Sequence, residues 1–400
     1  MASCTPWAHP IPTTSTANAA AQNLRIVPIT SAFLCSPLGL KRPCNFCEKT
    51  VEGALRQAYD NRGMANPQRK AMALMSGGLD SALAAAWTKR LGFEVVGVNL
   101  AAGFCVGRGR CDAVLAQGLA LGIPVRLLDV SEEYLAVVKR PKHGRGQGMN
   151  PCLDCRIFMA KKAKDLMEEE DAAFVVTGEV LGQRPMSQHR SALELVARES
   201  GLGERLVRPL SGQLLGPTFP ERMGWVRRED WLDLQGRSRK RQLALARELG
   251  VPTYTPPGGG CCLLLDRAYA KRLRDLLKEK GVEGLTKEDF ALLRLGRHFR
   301  LRPGVRVVVG RDEQENAALL GFAQGCYVLS FPHVPGPVAL ILGEPAPEEV
   351  FLAAQVAARY SDAQKDGPVR VAVSRAGQSE ELLVRPFSPA DPRLEQWRIG

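Results

Sequence analysis

The chain has 400 residues, 45% hydrophobic and 24% charged, enough for two or three ordinary globular domains. Lys and Arg number 54 against 42 Asp and Glu, a formal net charge of +12, which favours a polyanionic partner such as nucleic acid. No apolar run is long enough to span a bilayer, so no membrane association is expected, and the 11 cysteines read as reduced cytoplasmic thiols rather than a disulfide framework.

Residues 1–63 are rich in Ser, Thr, Ala and Pro, with no acidic residue before Glu48. They read as a disordered extension, either an organelle-type leader or, preferred here, a start placed upstream of Met64. The CxxC of Cys44 and Cys47 lies inside this segment and is taken as incidental. From about Lys70 the pattern alternates. RKAMALM reads as a buried strand, LDSALAAAWTKRLG as a helix closed by Gly92, and FEVVGVNL as a second strand. CDAVLAQGLALG is a helix and IPVRLLDV a third strand. The polar loop KRPKHGRGQGMNP leads to the helix LDCRIFMAKKAKDLMEEE and a fourth strand, AAFVVTG. Short apolar strands alternating with helices predict an α/β, doubly wound parallel sheet covered on both faces.

After Gly182 the helices SQHRSALELVARES and, past a basic turn, RKRQLALARELG are separated by irregular chain. The Pro/Gly loop TPPGGGCCLLLD then enters a helix, DRAYAKRLRDLLKEK. Near Gly281 the character changes: RVVVG, CYVLSF, VALILG and VRVAVS are strand-like and PEEVFLAAQVAARYSD is helical. This predicts domains at 64–281 and 282–400, the second a smaller α/β domain, with no internal repeat.

The corner SGGLDS joins the first strand to the first helix. Gly77 and Gly78 let backbone approach a ligand closely, and the helix N-terminus offers unpaired N–H groups suited to phosphate. Ser76 and Ser81 add hydroxyls. The stretch is neither a Walker A loop nor GxGxxG. A carboxylate, Asp80, beside phosphates makes sense if a divalent cation is shared.

SGGLDS resembles the pyrophosphatase loop of the adenylating ATP-pyrophosphatases, the PP-loop family, which split ATP between the α and β phosphates and transfer AMP to a carbonyl oxygen. TGEVLGQRPMSQ, Thr177 to Gln188, resembles the TGExLGQxxSQ segment of bacterial tRNA 4-thiouridine synthases. CRIFMAKKA is similar to the RxxM helix of those enzymes, and VRPLSG to their LRPL turn. Gly310, Arg311, Glu315 and Asn316 resemble the NFACT-type RNA-binding domain of ribosome quality-control proteins. The resemblance implies ATP and Mg²⁺ on Ser76, Gly77, Gly78, Asp80, Ser81, Thr177, Gly178 and Gln183, with tRNA as substrate. It implies adenylation of a uridine carbonyl oxygen and then displacement of AMP by sulfur, giving 4-thiouridine, with the O2 position left open. Two departures from those synthases stand out: neither their leading RNA-binding THUMP domain nor a rhodanese domain is evident. Sulfur delivery must then differ.

Cys152 and Cys155 form PCLDC, and Cys261 and Cys262 sit in GGGCC. Thiolates suit iron–sulfur clusters or zinc. The preferred reading makes Cys152, Cys155 and Cys261, with Cys262 as neighbour, ligands of a [4Fe–4S] cluster whose open iron holds sulfide. A persulfide on a cysteine with a resolving partner, zinc, or buried structural thiols stay open. Asp80, Cys152, Cys155 and Cys261 are the candidate catalytic residues. Cys105, Cys111 and His189 are read as bystanders. The basic runs 139–147 and 236–242 are solvated faces or RNA phosphate contacts, and 6% aromatic content argues against a base-stacking surface. A sulfur donor, sulfide or a cysteine desulfurase system, is a required partner, and a homodimer is left open. The rival readings are a ligase or thiolase acting on a small molecule, and an RNA-binding adaptor with a vestigial nucleotide site.

Overall fold

A strand that alternates Ala and Met can be buried on both faces, and β1 (Lys70–Leu74) is. Its Ala71, Ala73 and the following Met75 pack towards one layer, while Met72 packs towards the other. The computed structural model describes residues 69–104, 110–251, 261–363 and 367–400, the side chains of 110 and 111 apart. The proposed 1–63 extension and the loop glycines at 258–260 lie outside the described residues.

The elements that follow are α1 (Leu79–Arg90), β2 (Glu94–Ala101), α2 (Arg110–Leu121), β3 (Val125–Asp129), α3 (Ser131–Lys139), α4 (Cys152–Glu169) and β4 (Phe174–Val176). Then come α5 (Arg190–Glu199), β5 (Leu206–Val207), the single turn α6 (Phe219–Arg222) and α7 (Lys240–Glu248). The five strands form one parallel sheet in the order β3-β2-β1-β4-β5. The chain runs outward from β1 to the β3 edge and returns to place β4 on the other side of β1, Ala71 lying beside both Val95 and Phe174. The carboxyl end of β1 is therefore the topological switch point, where open α/β sheets hold ligands.

Helix α1 is apolar on nearly every side because it is enclosed on nearly every side. Ala82, Ala84 and Ala85 are fully buried, and Leu79 and Leu83 join a core with Phe93, Phe174 and Trp231. On the opposite face α4 contributes Ile157, Ala160 and Ala163 against Met72 and Val175. A third cluster of Phe104, Tyr134, Met149, Leu264, Tyr269 and Phe290 ties the loop before α4 to α8 (Arg267–Lys280) and α9 (Lys287–Leu292).

The remaining chain supplies β6 (Arg297–Arg302), β7 (Val305–Val309), α10 (Glu313–Leu320), β8 (Tyr327–Ser330), β9 (Ala339–Leu342), α11 (Pro347–Ala358), β10 (Val369–Arg375), β11 (Gln378–Val384), α12 (Pro392–Trp397) and β12 (Arg398–Ile399). Its seven strands pair antiparallel in the order β11-β10-β8-β9-β7-β6-β12. Ala353, Ala354 and Ala357 of α11 lie against Val307, Val309 and Ile341. Arg272 Nη1 of α8 donates to the Leu293 carbonyl at 3.0 Å, and Arg274 Nη2 to the carbonyls of Gln147 and Gly148 at 2.9 Å. Among the described residues no helix is long and apolar enough to cross a membrane.

Candidate active site

The corner is built by a short peptide that bends sharply and is then braced. Gly77 has φ +74°, a left-handed conformation that favours glycine. Ser81 Oγ donates to the Gly78 carbonyl at 2.9 Å and accepts the Ser76 N–H at 3.2 Å, with Ser76 Oγ 3.3 Å away. Ser81 is thus committed to holding the loop, while Ser76 is exposed. Asn99 Nδ2 donates to the Met75 carbonyl at 2.7 Å and Gln117 Nε2 to the Gly77 carbonyl at 3.2 Å. The first-turn amides of α1 have no helical acceptor, which makes this end an anion cradle.

Asp80 stands in the first turn of α1 with its side chain 14% exposed. Its Oδ2 accepts from Gln183 Nε2 at 3.1 Å and lies 3.7 Å from Arg239 Nη2, whereas its Oδ1 is buried and has no partner. Burial pushes the carboxyl above its ordinary value, outweighing the pull of Arg239, Gln183 and Arg184. An orphaned buried carboxylate oxygen beside a phosphate cradle fits the coordination needs of a hard divalent cation such as Mg²⁺.

The Thr177–Gln188 segment is pressed against this corner. A Cβ on Gly178 would lie 2.4 Å from the backbone of Asp80 and Ser81, so only glycine permits the approach. Thr177 Oγ1 donates to Glu179 Oε2 at 3.1 Å. Glu179 is 2% exposed and also accepts from Arg208 Nε at 2.9 Å, while Arg156 Nε lies 3.6 Å from its other oxygen. Burial opposes its ionisation, but Arg208 and Arg156 outweigh this and hold its carboxyl below the ordinary value. Three segments singled out separately in the sequence, TGE, CRIFM and VRPL, therefore meet on one carboxylate. Sequence reasoning did not assign these three residues, although the motif letters contain all of them. Arg239 was likewise visible only as part of a basic run. The Gly236 N–H bonds the Leu181 carbonyl at 2.8 Å, and this contact carries Arg239 to Asp80.

The four proposed thiols come from two places and converge. Cys152 and Cys155 open α4, and Cys261 and Cys262 precede a short turn at Leu263–Leu265. The Leu263 N–H bonds the Phe104 carbonyl and the Met149 N–H the Leu264 carbonyl, both at 2.8 Å, which seats the second pair beside the first. All four are free and half-buried. Asn150 Nδ2 donates to Cys152 Sγ at 3.0 Å and reaches Met186 Sδ at 3.3 Å. Burial raises the Cys152 thiol, and it pushes Cys155 up to about 11 despite a hydrogen bond from Tyr134. Cys261 moves the other way. A hydrogen bond from Cys262 lowers it most, and the Arg156 and Arg184 guanidiniums add to that, while Cys262 rises in return. Among the described residues no group of three or more His, Cys, Asp or Glu is disposed to hold a metal ion.

The basic run 139–147 is largely spent on structure. Lys142 and His143 bond Glu199, their backbone amides bond Asp154, and Arg145 donates to the carbonyls of Val138 and Lys139. His189 is the cap of α5, its Nδ1 accepting from the Ala192 N–H at 3.2 Å. Cys105 and the Cys111 side chain lie outside the described residues. In the C-terminal sheet the Gly310, Arg311, Glu315 and Asn316 motif is an internal brace. Arg311 pairs with Glu315, Glu315 accepts the Gly296 N–H at 3.0 Å, and Asn316 Oδ1 accepts the Val338 N–H at 3.0 Å.

The corner and the thiols are thus linked through the turn at 183–186, whose Gln183 bonds Asp80 and whose Met186 reaches the Asn150 nitrogen beside Cys152. Residues 66–213 match the family model described as thiamine biosynthesis protein (ThiI), and residues 296–398 match the NFACT protein RNA binding domain. The chain thus joins a segment similar to ThiI to one similar to the NFACT RNA binding domain, neither spanning half of its length. Curated relatives include tRNA-specific 2-thiouridylases MnmA. That of Tropheryma whipplei (strain Twist) is 41% identical over 97 residues, 22% of this chain and 27% of the relative. That of Methylorubrum extorquens (strain PA1) is 27% identical over 356 residues, covering 79% and 86%. The match to the Tropheryma relative thus spans about a quarter of that protein's length. A solved 4-thiouridine synthetase–RNA complex with bound ATP aligns at 21% identity over 46% of this chain and 51% of that one, with a TM-score of only 0.29.

Two outcomes follow from the packing. Glu179→Gln leaves two guanidiniums short of a countercharge and should lower unfolding free energy by about 3–5 kcal/mol. The folded-state pKa of Glu179 is lowered, so its contribution is complete above the ordinary carboxylate value of 4.5 and lost as pH falls through the folded value. Denaturant titrations of both proteins from neutral to acid pH should therefore show the gap closing below that point. Gly178→Ala should cost about 1–3 kcal/mol through backbone displacement, while Gly216→Ala, with nothing within 4 Å, should be close to neutral in the same titration.

Proposed function

We propose that this protein is an ATP-dependent tRNA thiolase, which adenylates a uridine carbonyl oxygen and then replaces that oxygen with sulfur. The observation that carries the reading is the turn at 183–186, which joins the two places: Gln183 Nε2 bonds Asp80 Oδ2 at 3.1 Å, and Met186 Sδ lies 3.3 Å from the Asn150 nitrogen that bonds Cys152 Sγ at 3.0 Å. A nucleotide loop alone serves many acceptors. A loop facing a thiolate, in a chain that also carries an NFACT-type domain, narrows the acceptor to RNA and the incoming atom to sulfur.

In this reading ATP lies with its phosphates over Ser76, Gly77 and Gly78 at the amino end of α1. Asp80 Oδ1 and Oδ2 would hold Mg²⁺, which when bound neutralises charge on the phosphates. Gln183 and Arg239 fix the Asp80 carboxylate. The uridine carbonyl oxygen attacks the α-phosphate and pyrophosphate departs along the helix amides. Oxygen now belongs to AMP, a far better leaving group. Hydrosulfide from a donor adds to the carbon, AMP leaves and loss of the proton completes the thiocarbonyl; where a persulfide on Cys261 or Cys152 adds instead, the other thiol then attacks the protein-bound sulfur, freeing the thiocarbonyl and leaving a Cys152–Cys261 disulfide that an external thiol reduces. The ThiI-matched segment carries this corner, so O4 is the proposed acceptor and 4-thiouridine the product; the MnmA relatives make O2 the alternative. Exposed Arg237 and Lys240, for which no ion pair is recorded among the described residues, flank Arg239 and offer RNA phosphate contacts.

The two half-reactions separate by mutation. Asp80→Ala should bring tRNA-dependent AMP formation to background. Cys152→Ser should keep AMP formation yet yield no thiouridine, read by nucleotide chromatography and by mass spectrometry of digested tRNA. A Cys152→Ser protein that still thiolates RNA removes that cysteine from the mechanism, and AMP formation that ignores tRNA assigns the site to a small-molecule acceptor.

A further inference from the structure

The proposed chemistry runs in two places, phosphoryl transfer at Asp80 and sulfur transfer at Cys152 and Cys261. The α-phosphate is the group that takes part in both. It first accepts the uridine oxygen and then departs with that oxygen as AMP. The described residues offer one turn that touches both places, 183–186. At its start Gln183 Nε2 bonds Asp80 Oδ2 at 3.1 Å. At its end Met186 Sδ lies 3.3 Å from Asn150 Nδ2, the same nitrogen that bonds Cys152 Sγ at 3.0 Å.

Arg184 sits between these anchors and is partly exposed. Its guanidinium lies near enough to Cys261, Asp80 and Cys152 for its charge to favour the ionised form of each. Its backbone is held firmly. The carbonyl accepts the Gln188 N–H at 2.9 Å, and Pro185 restricts the residue before it. Arg156 and Arg208 are committed to Glu179 and Arg239 to Asp80, whereas no carboxylate pairs with Arg184 among the described residues. A rigidly mounted guanidinium with no carboxylate partner, next to the sulfur and facing the nucleotide corner, suits a phosphate ester that must be held while its charge grows.

We propose that Arg184 binds the α-phosphate of the adenylated RNA and stabilises AMP as it leaves during sulfur attack. This rests on the thiolase reading above. In the step, sulfur forms a bond to the uridine carbon, the carbon–oxygen bond to AMP breaks, and its electron pair passes to the phosphate oxygen beside Arg184. Its demand falls on the second half-reaction more than on the first, where Mg²⁺ at Asp80 and the helix amides would already serve the phosphates.

The test compares the full chain with Arg184→Ala and Arg184→Lys, using unmodified tRNA, saturating ATP, Mg²⁺ and sodium sulfide. AMP and thiouridine are quantified in the same reactions. Wild-type protein should make close to one thiouridine per AMP. Arg184→Ala should lose thiouridine by about 100-fold, the scale of one missing transition-state donor, and lose AMP formation much less, so that adenylated RNA decays unproductively and AMP per thiouridine rises. Arg184→Lys should restore part of the coupling. A variant in which both products fall together, or neither falls, overturns the assignment, because a merely structural arginine leaves the ratio unchanged. Wild-type protein that forms AMP but no thiouridine overturns the thiolase reading itself, and this assignment with it.

Discussion

Everything around the corner depends on one buried carboxylate. Glu179 is enclosed almost completely, and it stays ionised because two guanidiniums from different segments share it. Arg208 comes from the turn after β5 and Arg156 from the first turns of α4. A buried pair of this kind is weak as a source of net stability, since desolvation offsets much of the attraction. Its effect is positional. A charge that cannot be left unpaired fixes the register of the three segments it joins. One of those segments carries Gly178 against the PP-loop backbone, and another carries Cys152 and Cys155.

Asp80 shows the opposite arrangement. One of its oxygens is bonded and the other is buried without a partner, so burial raises its pKa. The same domain therefore contains a carboxylate countered by two guanidiniums, which sets geometry, and one with a single guanidinium at 3.7 Å, which would take a cation. Charge is distributed the same way among the thiols. Burial raises Cys152 and Cys155, while the hydrogen bond from Cys262, with Arg156 and Arg184, lowers Cys261.

Much of this was legible in the sequence, for reasons that can be named. Strand β1 and helix α1 were readable because their apolar character reflects burial on both sides, and SGGLDS was readable because only a tight corner needs two adjacent glycines there. The polar edges were less legible. Strands β6 and β11 were missed because RHFRLR and QSEELLV carry charges on residues that border solvent or pair with opposite charges on other elements. The thiol pairs were found from spacing, which leaves a metal cage and a sulfur nucleophile as alternatives. The hydroxyls of Ser81 and Thr177 looked like ligand donors and are spent on Gly78 and Glu179. The basic run 139–147 read equally as a solvated face or an RNA contact, and its bonds to Glu199 and Asp154 were not visible in the sequence. Residues whose role is set by long-range partners were the ones that sequence could not assign.

The most direct test of the account asks whether sulfur reaches RNA at the expense of ATP. Purified protein, prepared without oxygen, is incubated with unmodified tRNA, Mg²⁺ and sulfide, with and without ATP, and the RNA is digested to nucleosides for mass spectrometry. The account predicts a thiouridine that forms only with ATP, chromatographing as the 4-thio isomer. Conversion of ATP to AMP without any thionucleoside would contradict it and leave the corner serving a different acceptor.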